Sequence, residues 1–171
     1  KTNTSRDIGV IIPTVRNPFY PDVLLGIEKT AAARNYQILL CNSLRDSDTE
    51  YRYMNSLYQK QVRGIIIAGS DNHSSYKEMY EKGMYLVTLE EAGDGKYCRG
   101  INFDYTEGGR LIASHLHSLG HRKAAFVTSP LSKRSRRSVL EGIESVFGSN
   151  VLVIEDSDES EDGNGIYEFE M

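Results

Sequence analysis

Two cysteines in 171 residues cannot build a disulfide framework. Cys41 stands in an apolar run and Cys98 in a turn, a usage that points to a reducing compartment and so to a cytoplasmic protein. No apolar stretch approaches the roughly 20 residues that span a membrane, and the polar start Lys-Thr-Asn-Thr-Ser-Arg-Asp has no signal-peptide character. A basic excess is missing as well. Twenty Lys and Arg against 24 Asp and Glu leave a net charge of −4, which argues against this chain tracking a phosphate backbone by itself.

Motifs for catalysis are equally scarce. No Gly-rich fingerprint follows the first apolar run, so dinucleotide or P-loop chemistry is not expected. Neither a Gly-x-Ser-x-Gly elbow nor a spaced carboxylate pair suggests hydrolysis. His117 and His121 have i, i+4 spacing, with His115 nearby, but Gly120 interrupts the helix and no Cys or carboxylate completes a zinc set. Cys41 reads as packing rather than as a nucleophile. The expectation is a protein that is not an enzyme and needs no metal or cofactor.

What is present is alternation. Apolar content of 39% with 26% charged residues suits a folded globular chain. Residues 8–12 (Ile-Gly-Val-Ile-Ile) form an apolar run without polar alternation, which reads as a strand buried on both faces. Pro13, Pro18 and Pro21 end it in a loop, and Val23, Leu24, Ile27 and Ala31 then recur at helical spacing. Further strands are predicted at 36–41, 64–69, 85–89, 100–104, 124–128 and 151–154. Capping-box spacing at Ser47/Glu50 and Ser75/Glu78 predicts two helix starts, and longer helices are expected over 106–119 and 135–147. Gly120 suits the C-cap of the first of these, and Asp104 beside Thr106 its N-cap.

Strands alternating with helices imply a parallel sheet with right-handed crossovers, an α/β, doubly wound fold. Five strands with their helices would complete one lobe near His121. The two strands and one helix that follow are too few for a second, so the chain reads as a fragment, or else those strands extend the first sheet. The acidic stretch 155–162 reads as a solvated loop.

Several segments together resemble the effector-binding core of the lactose-repressor (LacI/GalR) family of bacterial transcription regulators. They are Ile8-Gly-Val-Ile-Ile-Pro with Asn17-Pro-Phe-Tyr, Cys41-Asn-Ser, Val62-Arg-Gly-Ile-Ile-Ile, Asp104 followed by Gly108-Gly109, and Leu119-Gly-His-Arg-Lys-Ala-Ala-Phe-Val. The resemblance covers about residues 7–154. It implies a periplasmic-binding-protein-like fold of two flavodoxin-like lobes with a ligand cleft between. On that basis residues 1–7 are expected to be a linker from a DNA-binding head, 8–121 the first lobe, and 122–171 the start of the second. It further implies a homodimer, a small-molecule effector such as a sugar, operator DNA bound only through a helix-turn-helix head, and no membrane partner. A transport-type sugar-binding protein of the same fold is the alternative.

Ligands of such sheets lie outside the carboxyl ends of the strands. The resemblance places effector contacts on Asn17, Phe19 and Tyr20 after the first strand, on Ala68 at the end of the third, on Glu90 after the fourth, and on Ser135. Phe19 and Tyr20 have two readings, stacking on a sugar ring or plugging the core. Two departures from the family pattern stand out: Glu91 follows Glu90 where Arg or an aromatic residue is usual, and Val139 occupies the position of a ligand-gripping Arg. Lys133, Arg134, Arg136 and Arg137 crowd a predicted helix start, where cations oppose the dipole. Either these are solvated surface charges, or Arg136 and Arg137 join Ser135 and free N–H groups in an anion site. The second reading predicts an anionic effector such as a phosphorylated sugar.

Overall fold

Side chains of an extended strand alternate between two faces, so a run that is apolar at every position must be covered on both. From Ile8 on, β1 (Asp7–Ile12) meets that condition as an interior strand of a sheet. The computed structural model describes residues 5–68, 73–89 and 96–155. In it β1 pairs in parallel with β2 (Gln37–Asn42) on one side and β3 (Ile65–Ala68) on the other. β4 (Leu86–Leu89) and β5 (Arg99–Ile101) extend the sheet, also in parallel, in the order β2-β1-β3-β4-β5.

Val10, Ile12 and Ala68 are buried on one face with Tyr20, Leu24 and Ile27 of α1 (Phe19–Ala32). Ile11, Ile65 and Ile67 are buried on the other, against Met54 and Leu57 of α2 (Ser47–Gln59) and Tyr76 and Met79 of α3 (His73–Glu81). Helices on both faces make the doubly wound arrangement that the apolar runs predict.

Helix starts differ from the capping-box expectation. Asp46 caps α2, its carboxylate accepting from the Thr49 N–H at 2.9 Å. Ser47 is therefore the first helical residue, and Glu50 is buried. α3 begins two residues before Ser75, which is buried within the helix. The α2 box has the right spacing, but the carboxylate one residue earlier takes the capping role.

The second compact unit begins at Phe103 and contains α4 (Tyr105–Ser118), β6 (Ala124–Thr128), α5 (Arg134–Phe147) and β7 (Val151–Glu155). β6 and β7 pair in parallel as a sheet of their own and do not extend the first. The break falls between Asn102 and Phe103, not after His121, so α4 belongs with α5. The reason lies in which face of α4 is buried. Leu111, Ile112 and Leu119 are exposed. Gly109 and Ala113 are buried instead, in a core with Leu116, Val139, Ile143 and Phe147. Small residues let the two helix backbones approach closely.

α4 ends as the glycine after it requires. Gly120 has φ +96°, its N–H bonds the His117 carbonyl, and the His121 N–H bonds the Leu116 carbonyl, a Schellman motif. Gln61 closes α2 in the same way at φ +56° without being glycine.

Candidate functional site

All strands of the first unit run in parallel, so their carboxyl ends share one edge, and the β1–α1 loop leaves from an interior strand of it, between β2 and β3. Asn17 sets the start of α1. Its Oδ1 accepts from the Phe19 N–H at 3.0 Å and its carbonyl from the Tyr20 N–H at 3.2 Å. That uses one of the two lone pairs of the side-chain oxygen and leaves the amide donors for other partners. Phe19 is half-buried, its ring edge-on to Tyr20 with centroids 5.2 Å apart.

Tyr20 is only 3% exposed and packs with Val10, Ile12 and Ala68. The core-plug reading holds for Tyr20, whose burial sets it apart from Phe19. Ala68, also buried, contributes a methyl group to the same cluster. Phe19, Tyr20 and Ala68 are thus brought together, with Phe19 outermost. Glu90 and Glu91 lie outside the described residues; β4 ends just before them, at Leu89.

In the second unit, the loop after β6 leads to the start of α5. Ser135 and Arg136 are half-buried and Arg137 is exposed. The Arg136 Nε donates to Ser129 Oγ at 2.5 Å, and the Arg137 Nη2 donates to the Leu131 carbonyl at 3.2 Å. Both guanidinium groups therefore fold onto the β6–α5 loop. No side-chain hydrogen bond caps α5 and its first turn has no acidic residue, so its N–H groups and the arginines present one sign of charge. A carboxylate is near: Glu155 Oε2 accepts from the Leu131 N–H at 2.9 Å. Such an end can hold an anion through backbone N–H groups and guanidinium donors. Val139, where the resemblance led us to expect a ligand-gripping Arg, packs in the α4–α5 core.

Other candidates resolve into structure. Asp104 caps α4, Oδ1 accepting from the Glu107 N–H at 2.8 Å, so its cap reading holds. The His117 ring lies against Phe147 at 6.0 Å. Among the described residues no three His, Cys, Asp or Glu side chains converge as a metal site, and no helix is long and apolar enough to cross a membrane. Burial pushes the Cys41 thiol above its ordinary pKa, which suits packing and disfavours a thiolate. Sequence reasoning passed over the β2–α2 turn, where Asn42 ends its strand and Leu44 and Arg45 both take positive φ. Left-handed backbone in a non-glycine residue leaves no composition signal.

The family model described as periplasmic binding proteins and sugar binding domain of the LacI family matches residues 5–161. Catabolite control protein A from Staphylococcus aureus (strain Mu50 / ATCC 700699) is 32% identical over 158 residues, 92% of this chain and 47% of that protein. The HTH-type transcriptional repressor PurR of Aliivibrio salmonicida is 30% identical over 144 residues, 83% of this chain and 43% of that one. The chain thus spans about half the length of these curated relatives. In fold it is similar to the Cra transcriptional dual regulator of Pseudomonas putida, solved in complex with fructose 1-phosphate. The TM-score is 0.78 at 22% identity, over 88% of this chain and 58% of that one. With a family model matched over nearly all of its length, the chain belongs to the family of periplasmic binding proteins and LacI-type sugar-binding domains.

Proposed function

We propose that this chain is the ligand-sensing core of a LacI/GalR-type transcription regulator. In the complete protein it binds a small anionic sugar derivative between two lobes and works as a cytoplasmic homodimer. Binding shifts the population between two lobe arrangements, and a helix-turn-helix head, of the kind named in the PurR relative, reads the shift as a change in operator affinity. Asn17 and Phe19 contribute from the first lobe with Tyr20 and Ala68 beneath them, Glu90 from the end of the fourth strand, and Ser135, Arg136 and Arg137 from the second.

The observation that carries the anionic reading is the start of α5. It is uncapped, has no acid in its first turn, and holds two guanidinium groups over the adjoining loop. A neutral sugar makes no use of that charge; a phosphate does. Cra, similar in fold, was solved with a sugar phosphate.

Calorimetric titration of the complete protein with fructose 1-phosphate and fructose, and with glucose 6-phosphate and glucose, tests this. The phosphorylated member of a pair is expected to bind tighter, and Arg136→Ala or Arg137→Ala to erase the preference. Equal or better binding of the neutral members overturns the anion site. A complete protein that binds sugar but shows no sugar-dependent DNA binding in a gel shift supports the transport-type alternative.

A further inference from the structure

Asn42 Oδ1 is shut off from solvent and accepts no hydrogen bond from any described residue. A buried carbonyl oxygen without a donor costs its full desolvation, so folded chains nearly always supply one. The backbone on either side of Asn42 is held in place. On its amino side the residue is the last rung of the β1–β2 ladder, in register with Ile12. On its carboxyl side, the Ser43 N–H and Ser43 Oγ both donate to the Ile12 carbonyl, at 2.9 and 3.3 Å. Leu44 and Arg45 follow with φ of +53° and +59°. That turn is costly for non-glycine residues and is held by the Asp46 N–H on the Ser43 carbonyl and by the Asp46 cap of α2.

Strand parity fixes where the oxygen lies. Ile38 packs on the α1 face, so Asn42, four residues on, shares that face with Ile12, Phe19 and Tyr20 at the carboxyl edge of the sheet. It therefore sits beside the loop that carries Asn17 and Phe19. Those residues bring a ring and amide donors to that edge, and the Asn17 oxygen already accepts one hydrogen bond, from the Phe19 N–H.

We infer that Asn42 belongs to the ligand site, its Oδ1 accepting a hydrogen bond from a sugar hydroxyl. The inference rests on the ligand reading above and adds an acceptor from β2 to the residues already assigned. Because the oxygen is closed to solvent here, the contact forms when the β1–α1 loop or the Leu44–Arg45 turn yields to the ligand. The unpartnered oxygen is a standing cost in the free protein that the ligand relieves.

This makes a two-sided test possible, on the complete protein with fructose 1-phosphate and fructose as probes. Asn42→Leu removes the oxygen at nearly constant volume. The ligand-free melting temperature is expected to rise, by about 3 °C, while affinity for the better probe falls about tenfold. Asn42→Thr, which suits a strand and restores an oxygen, is expected to recover part of the affinity. A lower melting temperature in Asn42→Leu means that ordered water already satisfies the oxygen, and overturns the inference. So does unchanged affinity in both variants while the parent binds. A parent that binds neither probe overturns the sugar reading itself, and this inference with it.

Discussion

Gly142 of α5 faces Thr106 of α4 so closely that a Cβ on it would stand 2.0 Å from the Thr106 carbonyl oxygen. The relation is reciprocal, since a Cβ on Gly109 would stand 2.2 Å from the Val139 carbonyl. The obstacle in both cases is backbone, which cannot rotate aside, so any side chain drives the helices apart. Gly142→Ala and Gly109→Ala are each expected to destabilise the second unit by at least about 2 kcal/mol, despite alanine's better helix propensity. Gly26→Ala, in the middle of α1 with nothing within 4 Å, is the control and is expected to stabilise by about 0.5–1 kcal/mol. Urea unfolding of the three variants checks both signs.

Phe19 and Tyr20 are adjacent yet predict opposite outcomes. Tyr20→Ala empties a site in the α1 core and is expected to cost about 3–5 kcal/mol, so its binding defect follows from unfolding. Phe19→Ala removes a half-buried ring, and is expected to weaken sugar binding while leaving most of the stability. Melting curves read beside titrations separate the two. A Phe19→Ala protein that binds sugars as the parent does would remove Phe19 from the site.

Acid is expected to weaken the fold through three surface carboxylates held below their ordinary range. Asp46 is lowered by the Thr49 hydroxyl and N–H, Glu78 by Lys82 and then the Tyr51 hydroxyl, and Glu107 by Arg110. A carboxylate with a depressed folded pKa stabilises above its unfolded value, about 4, and that stability is lost as pH falls through the folded value. Lys82, raised by Glu78, works the other way: its contribution is present below about 10.4 and lost as pH rises through its folded value. These pairs give no slope between about pH 6 and 9. Asp46→Asn keeps a capping oxygen that does not titrate, so its urea midpoint is expected to fall less than the parent's between about pH 5 and 3. Parallel curves for the two proteins would contradict the role of Asp46.

Gln61 ends α2 in a left-handed conformation that glycine adopts freely. Its side chain is exposed, so Gln61→Gly loses little packing. A gain of about 0.5–1 kcal/mol is expected, since relief of the left-handed strain outweighs the freedom glycine adds to the unfolded chain. Denaturant midpoints measure it.

The features legible in the sequence were those whose cause is local. The apolar run of β1 has one solution, burial on both faces, and β6 is bounded as expected because its apolar run, Ala124 to Val127, lies between Lys123 and the Ser129-Pro130 turn. Asp104 and Gly120 were readable because a cap is a bond between near neighbours. Arg136 and Arg137 stand out by a local conflict, cations at a helix start, that the sequence alone displays. What tertiary structure decided were relations between distant segments. α4 packs on α5 not through its Leu111, Ile112 and Leu119 but at Gly109 and Gly142, residues without side chains, whose value appears only when two backbones meet. Tyr20 and Phe19 have the same local pattern, and only the position of α1 on the sheet buries one and leaves the other half open. Asn42 carries no sign of its missing partner in the sequence, because a hydrogen bond that is not made depends on everything packed around it.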